Sequence, residues 1–260
     1  MKNDLKQTKA FLFDLDGTLY LGNNVFDGVK ETLDYIRDKG IKIVYLTNNS
    51  SKTEKEYKAK LIRLGLFDKR DIIYSSLDAS IEYITEMLSG KKIYAVATKK
   101  VAKYLKKAGI NLSGKADAVL VTFDTELNYK KIEKANDLIV KGATYIATHP
   151  DKTCPKEGVY SPDLGSFIEM FKASSNRYPD IIIGKPNAVM GDYLYKKLNL
   201  RREEITMVGD RLSTDIAFGI NSGFNTVLVF SGETEKDAYA KSDIKADFAL
   251  DTVNGIKELI

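Results

Sequence analysis

Two aspartates one residue apart, Asp14 and Asp16, close the apolar run of "FLFDLDGTLY" (11–20) and are followed by Gly17 and Thr18. Alternate side chains of an extended chain point the same way, so both carboxylates face one spot. Two negative charges held that close repel each other unless a cation, a proton or a reaction occupies the gap. Groups of complementary chemistry stand elsewhere in the chain. Thr47-Asn48-Asn49 follows "IKIVYL", Lys185 follows "DIIIG", and Asp210 follows "EITMVG", with Asp215 shortly after. The first pair also has a plainer reading: Asp16-Gly17 between "AFLFDL" and "TLYLG" is a hairpin signal, with Asp14 as a polar strand end.

The elements that must carry these residues decide between the two. Strands are predicted at 9–14, 41–47, 71–75, 92–98, 117–123, 143–148, 180–184, 204–209 and 225–230. Most are nearly continuous apolar runs rather than clean alternations, as in a parallel sheet covered on both faces. Amphipathic stretches lie between them, such as "GVKETLDYIRDKG" (28–40), with Val29, Leu33 and Ile36 on one side and Gly40 where a helix stops. Strand–helix alternation with short loops means an α/β protein with right-handed crossovers. In open parallel sheets the binding crevice lies beyond the carboxyl ends of the strands. Four strand ends therefore deliver acids, a Thr-Asn pair and a lysine to one edge. One such ending is noise, but four complementary endings make a site.

The bulk composition excludes several classes. A chain of 260 residues with 43% apolar and 29% charged content suits a globular protein with ample core. The net charge of +4 is mild and the lysines are interspersed with acids, so no nucleic-acid stripe forms. A single cysteine, Cys154, excludes an intrachain disulfide. No signal core opens the chain, and no apolar run reaches the roughly 18 residues of a membrane span, so a cytoplasmic protein with no membrane partner is expected.

Taken in order, "DLDGT" (14–18), "LTNNS" (46–50), "GKP" (184–186) and "GDRLSTD" (209–215) resemble the four motifs of the haloacid dehalogenase-like phosphohydrolases. "TNNS" and the long insertion before "GKP" resemble the nitrophenylphosphatase and NagD-type subgroup, whose cap lies between the second and third motifs. The resemblance implies an α/β fold with a Rossmann-like three-layer core, a mostly parallel sheet, and a second, smaller inserted α/β cap domain. The expected division is 1–77 and 179–260 for the core and 78–178 for the cap. Carried over by position, Asp14 is the nucleophile and Asp16 the general acid/base, with Thr47, Asn48 and Lys185 holding the phosphate. The resemblance assigns Mg²⁺ to Asp14, the backbone carbonyl of Asp16, and Asp210, with Asp215 supporting it. The partner is then a small phosphorylated substrate. Oligomeric state is not readable, and a homodimer stays open.

That assignment is chemically coherent. A phosphate monoester is a dianion, which a carboxylate nucleophile approaches only once charge is neutralised. Attack by Asp14 would give an aspartyl-phosphate, with Asp16 moving the protons. Simpler roles exist for each group: Lys185 as a surface lysine, Thr47 to Ser50 as turn and cap residues, and Asp215 as an acid at a helix N-terminus. His149 is the single histidine, where a structural role is the commoner one. "ATHPD" carries it where the resembled cap commonly has asparagine, and "SPDLGS" (161–166) places Asp163 and Leu164 where small residues are usual. A phosphomutase shares the same intermediate. A non-enzymatic phosphorylated signalling module has no need of Asp16. A dehalogenase needs neither magnesium nor Asp16, and no dinucleotide fingerprint follows the first strand.

Overall fold

The computed structural model describes residues 4–156 and 159–260. Strand β1 (Ala10–Phe13) leads through a small flap, β2 (Tyr20–Leu21) and β3 (Asn24–Val25), into helix α1 (Val29–Asp38). Next come β4 (Lys42–Thr47), α2 (Glu54–Arg63), β5 (Ile72–Ser75) and α3 (Ser76–Met87). β6 (Ile93–Val96), α4 (Lys99–Lys107), β7 (Ala118–Val121), α5 (Tyr129–Val140) and β8 (Thr144–Ala147) alternate after them. A hairpin, β9 (Thr153–Lys156) and β10 (Val159–Pro162), precedes α6 (Leu164–Ser175) and β11 (Ile181–Ile182). The chain ends through α7 (Val189–Leu198), β12 (Ile205–Gly209), α8 (Ala217–Ser222), β13 (Asn225–Val229), α9 (Lys236–Lys241) and β14 (Phe248–Leu250).

Two compact units form. The first comprises Met1–Thr47, Glu54–Tyr74 and Lys185–Ile260, and the second Asn48–Thr53 and Ser75–Gly184. The first unit holds a six-stranded sheet in the order β14-β13-β12-β1-β4-β5. β1 pairs in parallel with both β12 and β4, and β13 with both β12 and β14. The apolar runs read from the sequence are the strands of this α/β, Rossmann-like fold, and the reason is burial: every residue of β1, β12 and β13 is buried. Phe11 and Phe13 stack at 5.8 Å beneath Val29, Leu33 and Ile36 of α1, all in one core cluster. Burying each such side chain stabilises by about 1.5–3 kcal/mol. Gly40 has φ 72 just beyond α1, a conformation that favours glycine.

The parallel pairing of β1 on both edges excludes the hairpin reading of "AFLFDLDGTLYLG". The antiparallel ribbon comes later, where Tyr20–Leu21 pairs with Asn24–Val25. Strand order reverses between β1 and β12, the place where open α/β sheets leave a crevice.

The second unit has its own smaller sheet, β11-β8-β7-β6, parallel throughout. Val119, Val121, Tyr145 and Ala147 of that sheet pack with Leu138 of α5 and Phe171 of α6. Helix starts are capped by side chains: Thr98 accepts from the Val101 N–H, Asn128 from Lys131, and Asp163 from Leu164. Asp163 and Leu164 therefore have structural duties here, as a cap and as a buried core residue. Among the described residues, no helix is long and apolar enough to cross a membrane.

Candidate active site

Register explains why acids from opposite ends of the chain meet. Phe13 pairs with Val208, and the Asp14 N–H donates to the Val208 carbonyl at 2.9 Å. Asp14 thus leaves the carboxyl end of β1 beside Asp210, which leaves that of β12. Carboxylate oxygens of Asp14, Asp210 and Asp215 lie within 4.8 Å of one another. Lys185 Nζ donates to Asp14 Oδ1 at 2.6 Å and to Asp215 Oδ1 at 2.7 Å. Lys185 is only 1% exposed, so this lysine is no surface group.

Backbone and small side chains orient the acids. Thr18 Oγ1 donates to Asp210 Oδ1 at 3.2 Å, and the Glu233 N–H to Asp210 Oδ2 at 2.7 Å. Asp215 lies in a π-helical turn, Leu212–Ile216, and accepts the Arg211 N–H at 3.1 Å. Single π turns are frequent at functional sites, because they re-aim one side chain without ending the helix. Glycines make the room. A Cβ on Gly17 would stand 2.4 Å from Asp210 Oδ2, and one on Gly209 would stand 2.3 Å from the Asp215 Cβ.

Asp210 and Asp215 are buried and Asp14 is partly buried, and Lys185 is the ammonium bonded to two of these three carboxylates, so the cluster carries an excess of acids. Burial pushes Asp14 well above the ordinary carboxylate range; the Lys185 charge opposes that shift, and Asp215 and Asp210 add to it. Burial, with the Asp215 charge, raises Asp210 to about 6. Burial alone would depress Lys185, but Asp14 and Asp215 outweigh it and hold the ammonium above its usual range. An all-oxygen donor set with excess negative charge fits a hard divalent cation such as Mg²⁺. Asp14, Asp210 and Asp215 are the residues that could hold one.

Asp16 differs from its neighbour. Its side chain is 51% exposed, and Lys60 Nζ lies 3.5 Å from its Oδ1. That ammonium also lies 3.9 Å from the ring centre of Tyr20. Thr47 ends β4 in the first unit, whereas Asn48 belongs to the second. There Asn48 Nδ2 donates to Asp151 Oδ2 at 3.0 Å.

Sequence reasoning missed several participants. Thr18 stood within "DLDGT" and could have been found there. Lys60 carries no signal, being one of many lysines on a charged helix. Gly232 and Glu233 crowd Asp210 only through the fold. His149 has more company than the sequence indicated, since it gathers with Asp151 and Asp163 within 4.8 Å.

Comparison with known proteins identifies the family. Residues 11–111 match a haloacid dehalogenase-like hydrolase model, and residues 182–256 a second, HAD-hydrolase-like model. The acid sugar phosphatase of Staphylococcus aureus is 32% identical over 252 residues, covering 96% of this chain and 97% of that protein. The crystal structure of 4-nitrophenylphosphatase from Thermotoga maritima superposes with a TM-score of 0.94 at 33% identity, covering 98% of each chain. NagD from E. coli K-12 does so with a TM-score of 0.88 at 29% identity, over 95% of this chain and 97% of that one. Sequence, fold and the cluster at the β1–β12 edge agree: the chain belongs to the haloacid dehalogenase-like hydrolases, in their NagD-type subgroup.

Proposed function

We propose that this phosphoric monoester hydrolase is a magnesium-dependent phosphatase of small phosphate monoesters, working through an aspartyl-phosphate on Asp14. The observation that carries the reading is the clustered set of Asp14, Lys185, Asp210 and Asp215 where the strand order reverses. The Asp14 carboxylate attacks phosphorus as the bond to the leaving oxygen breaks, and Asp16 donates that oxygen its proton. Asp16 then takes a proton from the water that attacks the aspartyl-phosphate, which releases inorganic phosphate and restores Asp14. Lys185, Thr47 and Asn48 hold the phosphate oxygens by charge and hydrogen bonding. Asp14, the Asp16 carbonyl and Asp210, with Asp215 in support, would hold Mg²⁺, which would supply Lewis-acid neutralisation of the phosphate charge. The inserted unit at 78–178 serves as the cap that chooses the leaving group.

Sugar phosphates are the favoured substrate class, given the acid sugar phosphatase relative, and p-nitrophenyl phosphate is the practical assay compound. The test is phosphate release from a panel of sugar phosphates, nucleoside monophosphates and p-nitrophenyl phosphate, with Mg²⁺ and with chelator. Asp14→Asn should abolish release while the fold persists. Undiminished turnover by that variant, or by the chelated protein, would refute the mechanism.

A further inference from the structure

We propose that Lys60 is a positioning residue for Asp16, seated on the Tyr20 ring so that its ammonium holds the Asp16 carboxylate in one orientation; this rests on the reading of Asp16 as the general acid/base. A half-exposed aspartate side chain turns among its rotamers unless a neighbour selects one. Proton transfer tolerates little of that freedom, since the carboxyl must lie within hydrogen-bond reach of the oxygen it serves. The Asp16 side chain is 51% exposed, against 17% for that of Asp14, so its orientation has to come from a specific contact.

The backbone that carries Asp16 is already fixed by its own turn. The Gly17 N–H donates to the Tyr20 carbonyl at 2.8 Å, and the Leu19 N–H to the Leu15 carbonyl at 3.0 Å. Ser231 Oγ donates to the Gly17 carbonyl at 2.8 Å. Tyr20 is fully buried and shares one core cluster with Leu15, Tyr57 and Leu61. Tyr57 and Leu61 are the buried residues of α2, and Lys60 stands between them in sequence on that helix. The turn that carries Asp16 and the helix that carries Lys60 are therefore packed on a common core.

Lys60 is restrained in its turn. Its side chain is only 19% exposed, and Nζ lies 3.9 Å from the centre of the Tyr20 ring, whose face attracts a cation. Burial, and after it the Asp16 charge, hold the Tyr20 phenol far above its ordinary range, so the ring beneath the ammonium stays neutral. From this seat the ammonium reaches Asp16 Oδ1 at 3.5 Å. An ion pair with one partner so exposed adds little to stability. Its use is directional: with the Asp16 backbone fixed, a charge at a fixed point selects the rotamer that brings a carboxylate oxygen beside it.

Steady-state kinetics with p-nitrophenyl phosphate test the assignment on Lys60→Met, Lys60→Arg, Asp16→Asn and the Asp16→Asn/Lys60→Met double variant, each checked for folding by a thermal melt. Misdirecting the acid/base should lower kcat about tenfold in Lys60→Met, a part of what general acid–base catalysis supplies. KM should not rise, because Asp16 serves the proton transfers rather than ground-state binding. Lys60→Arg, which keeps a cation able to sit on the Tyr20 ring, should recover most of the loss. In the Asp16→Asn background the Lys60 change should cost less than about twofold, since the group it orients is gone. An unchanged kcat in Lys60→Met, a rise in KM alone, or the full Lys60 effect persisting in the Asp16→Asn background would overturn the proposal. An Asp16→Asn enzyme with wild-type kcat would instead overturn the reading of Asp16 and take the proposal with it.

Discussion

Lys185 and Asp14, 171 residues apart in sequence, form a 2.6 Å ion pair in which the lysine side chain is 2% exposed. Lys185 is the ammonium bonded to two of the three clustered carboxylates.

Lys185→Met should therefore damage both fold and chemistry. Removing one partner of a buried pair typically costs about 3–5 kcal/mol, because the other charge is left uncompensated. The metal-free variant should melt well below the wild type, Mg²⁺ should recover part of the difference, and phosphate release should fall at least about a hundredfold. Calorimetry with and without chelator, alongside kinetics, checks this.

Asp210 predicts a pH dependence of defined sign. Its folded-state value, raised to about 6 by burial and by the Asp215 charge, lies above that of the unfolded chain. Folding thus favours the protonated acid. That stabilisation is complete below the ordinary carboxylate range and is lost as pH rises through about 6. Full ionisation costs about 3 kcal/mol. Denaturation in chelator should show wild type losing stability between pH 4 and 7 relative to Asp210→Asn by about that amount. Parallel curves for the two proteins would contradict the assignment. Mg²⁺ should offset the loss at neutral pH.

Gly17 is required twice over. It has φ 92, and an added Cβ would stand 2.4 Å from Asp210 Oδ2. Gly17→Ala should destabilise by about 1–3 kcal/mol through backbone strain. It should also weaken Mg²⁺ binding at least tenfold, because Asp210 must move. Isothermal titration with Mg²⁺ reads the second effect separately from a melt.

Arg37 offers a contrast away from the site. Its guanidinium donates to Asp71 Oδ2 and to the Leu66 carbonyl, both at 2.6 Å, and its side chain is 6% exposed. Arg37→Met should cost about 3–5 kcal/mol by stranding Asp71. KM for p-nitrophenyl phosphate should be unchanged below the melting transition, and a large KM shift would tie this network to the site.

Strand identity was legible because parallel strands buried on both faces require unbroken apolar runs, so "KAFLFD", "EITMVG" and "NTVLVF" declare themselves. The two-residue strands of the flap at 20–25 and the edge strand β14 were not, since such short strands need no unbroken apolar run. The site acids were visible as polar residues closing those runs. Their roles depended on charge balance, which no linear reading supplies. Asp215 shows the difference: in sequence it suits a helix N-terminus, but the π-helical turn and Lys185 make it part of a cluster with an excess of acids.

The order of residues alone determined an α/β chain that brings Asp14, Lys185 and Asp210 to strand ends, because burial dictates where apolar runs begin and stop. Only the tertiary structure decided that β1 lies between β12 and β4, which brings two acids from opposite ends of the chain side by side. It alone grouped Asn48 with Asp151, and His149 with Asp163. Strand pairing and side-chain hydrogen bonds join residues by distance in space, and local sequence encodes only distance along the chain.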